Sequence, residues 1–445
     1  MKTPPSFLLL FSLVITGPLA AQTTPFTRIA DTSTPIPGAS GNFVAFSNMV
    51  SVNEDGDVAF SEDNFDAPSN DGIHFWSAGD LSLIADFDTA IPGGTGNFTA
   101  FSFFGNGIEG NTIAFRGGGA SDQTGIYAYN GTILEKIADT TTAIPDGTGN
   151  FTGFTTAYVD GGDFAFIADG SAAQQGIYLA SGATITRVAD QSTPVPGIGG
   201  NFQWSSQLGF DGGNLSFWAN VTGGTTPGNI IGAYSPGGGL TTLVTTATIV
   251  PGVGTPFTSL SSPADLSGTT VVFGGQFAGG SGLYTIDLAG GAITPVATTA
   301  TSVPFGSGRF TSFSPAAIDG EEIAFVGNFS GGAGLYVRQN GRLRQVITTD
   351  DTLEGKDVVA LVISENALAG GYLAFRAIFT GGAQGIYRLT TSEIVDPPLL
   401  SKAKLKKTVK RLTAQLKKAR QAGQTSKAKR LAKQLRQLKK ELRAF

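Results

Sequence analysis

The chain contains a single histidine, His74, and no cysteine. Thiol catalysis, thiolate metal sites and disulfides are therefore excluded, and any imidazole chemistry must come from His74 alone. His74 stands where a recurring "GIY" motif carries Tyr, so a half-buried strand residue is expected there rather than a base or a ligand. Just upstream, "SEDNFDAPSND" gathers Glu62, Asp63, Asp66 and Asp71. Hard oxygen ligands on one loop can hold calcium. Their spacing follows no strong calcium motif, and a solvated acidic loop is the plainer expectation. Two of the three tryptophans, Trp204 and Trp218, fall close together. Exposed, they would stack on sugar rings; buried, they would fill a wedge between sheets. Arg116 and Arg376 each follow a recurring Phe, as Trp218 does, which gives one repeated position varied chemistry. These four are the candidate ligand-binding residues. Carboxylates are abundant enough for a hydrolase or lyase. No Gly-rich phosphate loop opens a helix, and no metalloprotease motif is present.

Charge is divided along the chain. Residues 1–400 hold 12 Lys+Arg against 33 Asp+Glu, a net of −21, whereas residues 401–445 hold 17 against 1, a net of +16. In the basic segment Leu405, Val409, Leu412 and Leu416 step by 4, 3 and 4, and Leu431, Leu435, Leu438 and Leu442 repeat the pattern. "AGQTS" between them offers a helix stop and a new start. The expectation is two helices, about 402–421 and 426–443, folded as an antiparallel hairpin along one apolar seam. Lys406, Lys407, Lys410, Arg411, Lys417, Lys418, Arg436, Lys439 and Lys440 are the expected polyanion contacts. Like charges four apart weaken such a helix by a few tenths of a kcal/mol per pair, roughly, so an anionic polymer would firm it.

The opening "MKTPPSFLLLFSLVITGPLAAQ" has one Lys, an apolar run from Phe7 to Ile15, and small residues at Ala20 and Ala21. It reads as a secretory leader over 1–21, too short to span a membrane as an ordinary helix. No other segment reads as a membrane span. Export makes an acidic envelope polysaccharide or lipopolysaccharide the expected partner of the tail. Nucleic acid would bind in vitro by the same counterion release, but no natural nucleic-acid partner is expected.

These residues must be positioned by repeating elements. "IADTSTPIPGASGNF" at Ile29 recurs at Ile84, Ile137, Val188, Leu243 and Val296, and a degraded copy follows near Val346. A strand-like signal recurs in phase at Phe60, Phe115, Phe166, Phe217, Phe273, Phe325 and Phe375. The "GIY" signal does so at Gly72, Gly125, Gly176, Gly232, Gly282, Gly334 and Gly385. Each unit divides into four strands, A to D, with acidic turns between A and B and tight Gly turns between C and D. Seven such units predict a propeller, each unit one small sheet. The first strand, "FTRIAD" at Phe26, is of type D, and the last, "GIYRL" at Gly385, is of type C. The first strand should therefore complete the last sheet and close the ring. In the loop, Thr34, Thr89, Thr142, Thr193, Thr248 and Thr301 are expected to bond nearby backbone. Asp31, Asp86, Asp139 and Asp190 are expected to cap the same turn.

The arrangement resembles seven-bladed β-propellers, and it is similar to secreted bacterial repeat proteins carrying "IADxxTxIPGGxGNF" and "GIY" marks. The expected class is all-β, with four-stranded blades, closure between the terminal strands, and a C-terminal basic α-helical hairpin. The expected divisions are 1–21 leader, 22–395 propeller, 396–401 Pro-containing linker and 402–445 tail. The expected function is non-catalytic: a secreted or cell-surface ring that binds an extracellular ligand and is retained by its tail. The alternative is an extracellular carbohydrate-active hydrolase or lyase using ring carboxylates. No cofactor is expected beyond calcium at Glu62, Asp63, Asp66 and Asp71.

Overall fold

The computed structural model describes residues 26–62, 72–102, 107–225, 228–305, 308–394 and 402–421, with scattered positions from 425 to 439; the side chains of 204–206, 262–264, 402–408, 411, 415 and 419 lie outside the description. Seven antiparallel sheets follow one another as blades. Blade 3 shows the plan: strand A is Gly153–Asp160, B is Asp163–Asp169, C is Gly176–Ser181 and D is Thr184–Asp190. From blade 2 round to blade 1 the inner strands of successive blades pack side by side, which puts these strands around the axis. In blade 7 the strand Thr27–Asp31 pairs antiparallel with Gln384–Thr390, with Ala30 opposite Ile386. The chain's first strand thus takes the outer edge of its last sheet and removes an open edge.

The repeated loop has one geometry. In six copies a bridge closes it: Pro35 to Asn42, Ala90 to Asn97, Ala143 to Asn150, Pro194 to Asn201, Ile249 to Pro256, and Ser302 to Arg309. In all six the Thr hydroxyl accepts the backbone N–H three residues earlier, as Thr34 does from Asp31 at 2.9 Å and Thr301 from Thr298 at 2.9 Å. Asp31 Oδ1 accepts from the Ser33 N–H and hydroxyl and from the Thr34 hydroxyl. Burial would raise this carboxyl, but the Ser33 bonds and the nearby Arg28 and Lys356 charges bring it down to about 2. The degraded seventh copy swaps the partners: Asp351 accepts from the Thr348 N–H and hydroxyl.

The acidic A–B turns also have a structural role. A side chain of one turn bonds the backbone of the next around the ring. The pairs are Asn53 to Gly110 O, Glu109 to Gly162 N, Asp160 to Gly212 N, Asp211 to Gly268 N, Ser267 to Gly320 N and Asp319 to Gly371 N, at 2.5–3.4 Å. Between blades 7 and 1 the belt is continued by Arg388, which donates to Gly56 O. The receiving glycines Gly162, Gly212, Gly268, Gly320 and Gly371 all sit at positive φ, from 55° to 79°, which Gly adopts without strain and which presents the turn to its neighbour.

Beyond the ring, a helix covers Lys402–Gln421. Its Leu412 and Leu416 pack with Leu431 and Leu435. Arg420, Lys429 and Arg436 face Asp350, Asp351 and Asp357 of the ring across a cleft of about 560 Å³. No described helix is long and apolar enough to cross a membrane. The expected leader, 1–21, and the linker, 396–401, lie outside the described residues.

Candidate functional site

Three features distinguish individual blades within this repeated frame: a carboxylate cluster on the axis, a variable position between blades, and a cleft between blades 5 and 6.

Strand A of blade 3 carries Tyr158, strand A of blade 4 (Asn201–Asp211) carries Gln207, and strand A of blade 5 (Phe257–Ser267) carries Asp265. Blade 7 supplies Glu365, just after its strand Lys356–Val362. The Tyr158 hydroxyl accepts the Leu208 N–H at 2.7 Å, joining blades 3 and 4. Asp265 accepts the Leu266 N–H at 2.9 Å and the Ile318 N–H at 3.0 Å, joining blades 5 and 6. Gln207 Nε2 reaches Glu365 Oε1 at 3.5 Å. Blades 4 and 7 are not neighbours in a ring of seven, so this contact crosses the axis. Asp265 and Glu365 are 5% and 1% exposed. Burial pushes Glu365 up to about 7. It also pushes Asp265 well above the carboxylate range, although two N–H donors pull the other way, and the Glu365 charge adds to the rise. Tyr158 is raised by burial and by the Glu365 and Asp265 charges. Two carboxylates thus converge, but they are shut away from solvent and engaged in joining blades.

The second feature is the residue after the central Phe of strand B. Pairing with strand C puts Ser61, Arg116, Ile167, Trp218, Gly274, Val326 and Arg376 at one register position. Its side chain faces the next blade. Trp218 donates its indole N–H to Leu260 O of blade 5 at 2.7 Å. Arg376 donates to Phe46 O and Asn48 Oδ1 of blade 1, and to Gln384 Oε1 at 3.2 Å. Arg116 is half-buried. The expected shared position is therefore real; Trp218 joins blades 4 and 5 through it, and Arg376 joins blades 7 and 1 while also meeting Gln384 of its own blade. The Trp204 side chain lies outside the described residues.

At Gly274 the same position has no side chain. A cleft of about 220 Å³ opens there, between blades 5 and 6. Ser261, Leu283, Phe313, Ser314 and Pro315 are among its walls, and no lining residue is charged.

His74 is fully buried, not half-buried as the sequence suggested. Its Nε2 lies 2.8 Å from Glu62 Oε1. It occupies the slot that Tyr fills in other blades: Phe43 stands edge-on to it at 5.0 Å, as Phe98 does to Tyr127 at 5.0 Å. At the position of Glu62 the other blades carry only Gly or Ala (Gly117, Ala168, Ala219, Gly275, Gly327 and Ala377), and at Gly117 a Cβ would lie 2.4 Å from the Phe98 ring. The smaller imidazole leaves room for the Glu62 carboxylate. Glu62 is therefore turned into blade 1. Asp63, Asp66 and Asp71 lie outside the described residues, and no group of three or more metal-ligating side chains gathers among the described ones.

One alignment needs correcting. Gly232 was expected in the Gly place of "GIY", but it pairs with Phe217 as Tyr284 pairs with Phe273. It fills the Tyr slot, where a Cβ would lie 2.4 Å from the Phe217 ring, and Ile230 takes the Gly place. Of the tail residues, Lys410, Lys417, Lys418, Arg436 and Lys439 are exposed. The side chains of Lys406, Lys407, Arg411 and Lys440 lie outside the description.

Seven sheets and their closure make this a seven-bladed β-propeller. The chain belongs to the family of unknown function DUF7453, whose model matches residues 16–266 and 113–386. No curated protein matches it. Among solved structures it is similar to a prolyl endopeptidase, at 14% identity and a TM-score of 0.48 over 82% of this chain and 49% of that one. It is also similar to the β-propeller domain of the Trilobed protease from Pyrococcus furiosus (10% identity, TM-score 0.48, 78% and 96% covered). A third is the polysaccharide lyase Uly1 (12% identity, TM-score 0.42, 83% and 98% covered). The chain spans about half the length of the first of these. None of the three assigns a role to a residue here.

Proposed function

We propose that the chain is a secreted or cell-surface, non-catalytic propeller that binds an extracellular ligand, and that its basic tail retains it on an anionic envelope polymer. The observation that carries the reading is the placement of the acids. A hydrolase or lyase needs an acid and a base open to substrate, at about 5–10 Å from each other in a glycosidase. The converging carboxylates, Asp265 and Glu365, are buried and engaged with Ile318, Leu266 and Gln207. The cleft between blades 5 and 6 has no titratable lining residue, and in the larger cleft beside the tail Asp350, Asp351 and Asp357 stand opposite Arg420, Lys429 and Arg436. Such a surface suits binding without turnover.

For the tail, we read a helical hairpin over 402–421 and 426–443. The Leu412, Leu416, Leu431 and Leu435 cluster supports it, and the exposed lysines supply the charge. The acidic ring face at Asp350, Asp351 and Asp357 would hold the same cations when no polymer is present. The leader at 1–21 and retention at the surface form part of this proposal. The test is a screen of the purified chain against acidic and neutral polysaccharides, with binding and depolymerisation read separately. Binding without chain shortening is expected. Depolymerisation that Glu365→Gln or Asp265→Asn abolishes would establish the carbohydrate-active alternative instead.

A further inference from the structure

We propose that the cleft between blades 5 and 6 is a site for a neutral, planar ring that donates an N–H, of indole type. This names the ligand chemistry of the binding ring and rests on that reading. The repeat itself provides the template. At the position of Gly274, blade 4 carries Trp218, whose ring lies against the core of blade 5 and whose N–H meets Leu260 O at 2.7 Å. Blade 7 carries Arg376, which meets Phe46 O. Leu260 pairs with Gly275, Phe46 with Glu62 and Phe313 with Gly327, so the three carbonyls share one register position. Two of them receive a planar N–H donor from the preceding blade. The third, on Phe313 in the wall of the cleft, faces a glycine.

The walls favour a neutral donor over a guanidinium. Arg376 is also met by Asn48 Oδ1 and Gln384 Oε1. Two residues beyond Phe313, where Asn48 stands in blade 1, the cleft has Pro315. Before Gly282, where Gln384 stands in blade 7, it has Ser281. A buried cation would find no charged partner there, and that is costly. Leu283, Phe313 and Pro315 give an apolar bed instead. The volume, about 220 Å³, is below the 300–1,000 Å³, roughly, of sites for drug-sized ligands, so it suits a single ring system. That ring can come as a free heteroaromatic or as the Trp side chain of a peptide.

The full chain is titrated with indole, with 1-methylindole, and with a Gly-Trp-Gly amide, by calorimetry and by ligand-observed NMR. Saturable indole binding is expected, with 1-methylindole weaker by about tenfold, the value of one buried hydrogen bond. Preference for the peptide over indole would assign the ring to a peptide, and the reverse to a free heteroaromatic. Gly274→Trp and Gly274→Val, the second copying Val326 of blade 6, should each remove the binding. At either, the Cβ displaces only the Ser261 hydroxyl, 2.1 Å away. Trp218→Gly should add a second indole site. Equal affinity for indole and 1-methylindole, or binding that survives Gly274→Val, would overturn the proposal. So would an indole site gained by Trp218→Gly when the parent has none. A chain that takes polysaccharide but no indole would refute this site while leaving the binding function standing.

Discussion

Glu365→Gln should stabilise the ring at alkaline pH. The folded-state value of Glu365 is raised from 4.5 to about 7 by burial. Between those values the folded chain holds a proton that the unfolded chain has released. Stability from this group is therefore full below pH 4.5, falls as pH rises, and is lost by pH 7. From pH 5 to pH 8 the loss is about 3 kcal/mol, at about 1.4 kcal/mol per pH unit. Gln carries no charge to bury and keeps an Oε1 acceptor for Gln207 Nε2. The variant also relieves Asp265 and Tyr158 of a neighbouring negative charge, which acts in the same direction. For a ring of this length each kcal/mol moves Tm by about 1–2 °C. The wild type should thus lose about 3–6 °C more than the variant between pH 5 and pH 8, measured by scanning calorimetry. Asp31 titrates near 2, far from this window. Equal losses for the two proteins, or a variant less stable at pH 8, would refute the assignment of Glu365 as a buried axial acid.

Three further outcomes follow from the ring's construction. Deleting Phe26–Asp31 should bare the outer edge of Gln384–Thr390 and yield aggregates or dimers by light scattering; a monomer with parental Tm would contradict the closure. Thr142→Val should cost about 1 kcal/mol in denaturant unfolding, through loss of the Asp139 N–H bond, and leave polysaccharide affinity unchanged. Gly117→Ala should cost about 1–3 kcal/mol by overpacking, because its Cβ would meet the Phe98 ring at 2.4 Å; an unchanged midpoint would count against that packing.

The repeat makes the ring legible in the sequence itself. A motif written six times exposes the loop, its Thr and Asp bonds, and the phase of the strands, and the types of the two terminal strands imply the closure. The blade-specific features were harder to read. Glu365 sits in the seventh unit, where "VISENALAG" has no counterpart, so nothing marks it as axial. Asp265 follows an irregularity in strand pairing between Ser261 and Asp265, and such a bulge changes which residues point inward. Gly274 reads as one more turn glycine in a chain with 63 of them; its meaning appears only when register aligns it with Trp218 and Arg376. The Gly232 slip has the same cause. "GNIIGAY" offers two glycines, and only pairing with Phe217 decides between them. His74 is legible as an exception, whereas its partner Glu62 reads as loop acid because the strand's end cannot be placed from sequence.

The tail carries the claim that most separates this account from that of a simple soluble ring. The direct measurement is binding of an acidic polysaccharide by the full chain and by a chain ending at residue 395, across a salt series. The full chain should bind with a log–log salt slope of several charges, as counterion release requires, and the shortened chain should lose most of the affinity and the slope. Equal affinities and slopes for the two chains would contradict the account.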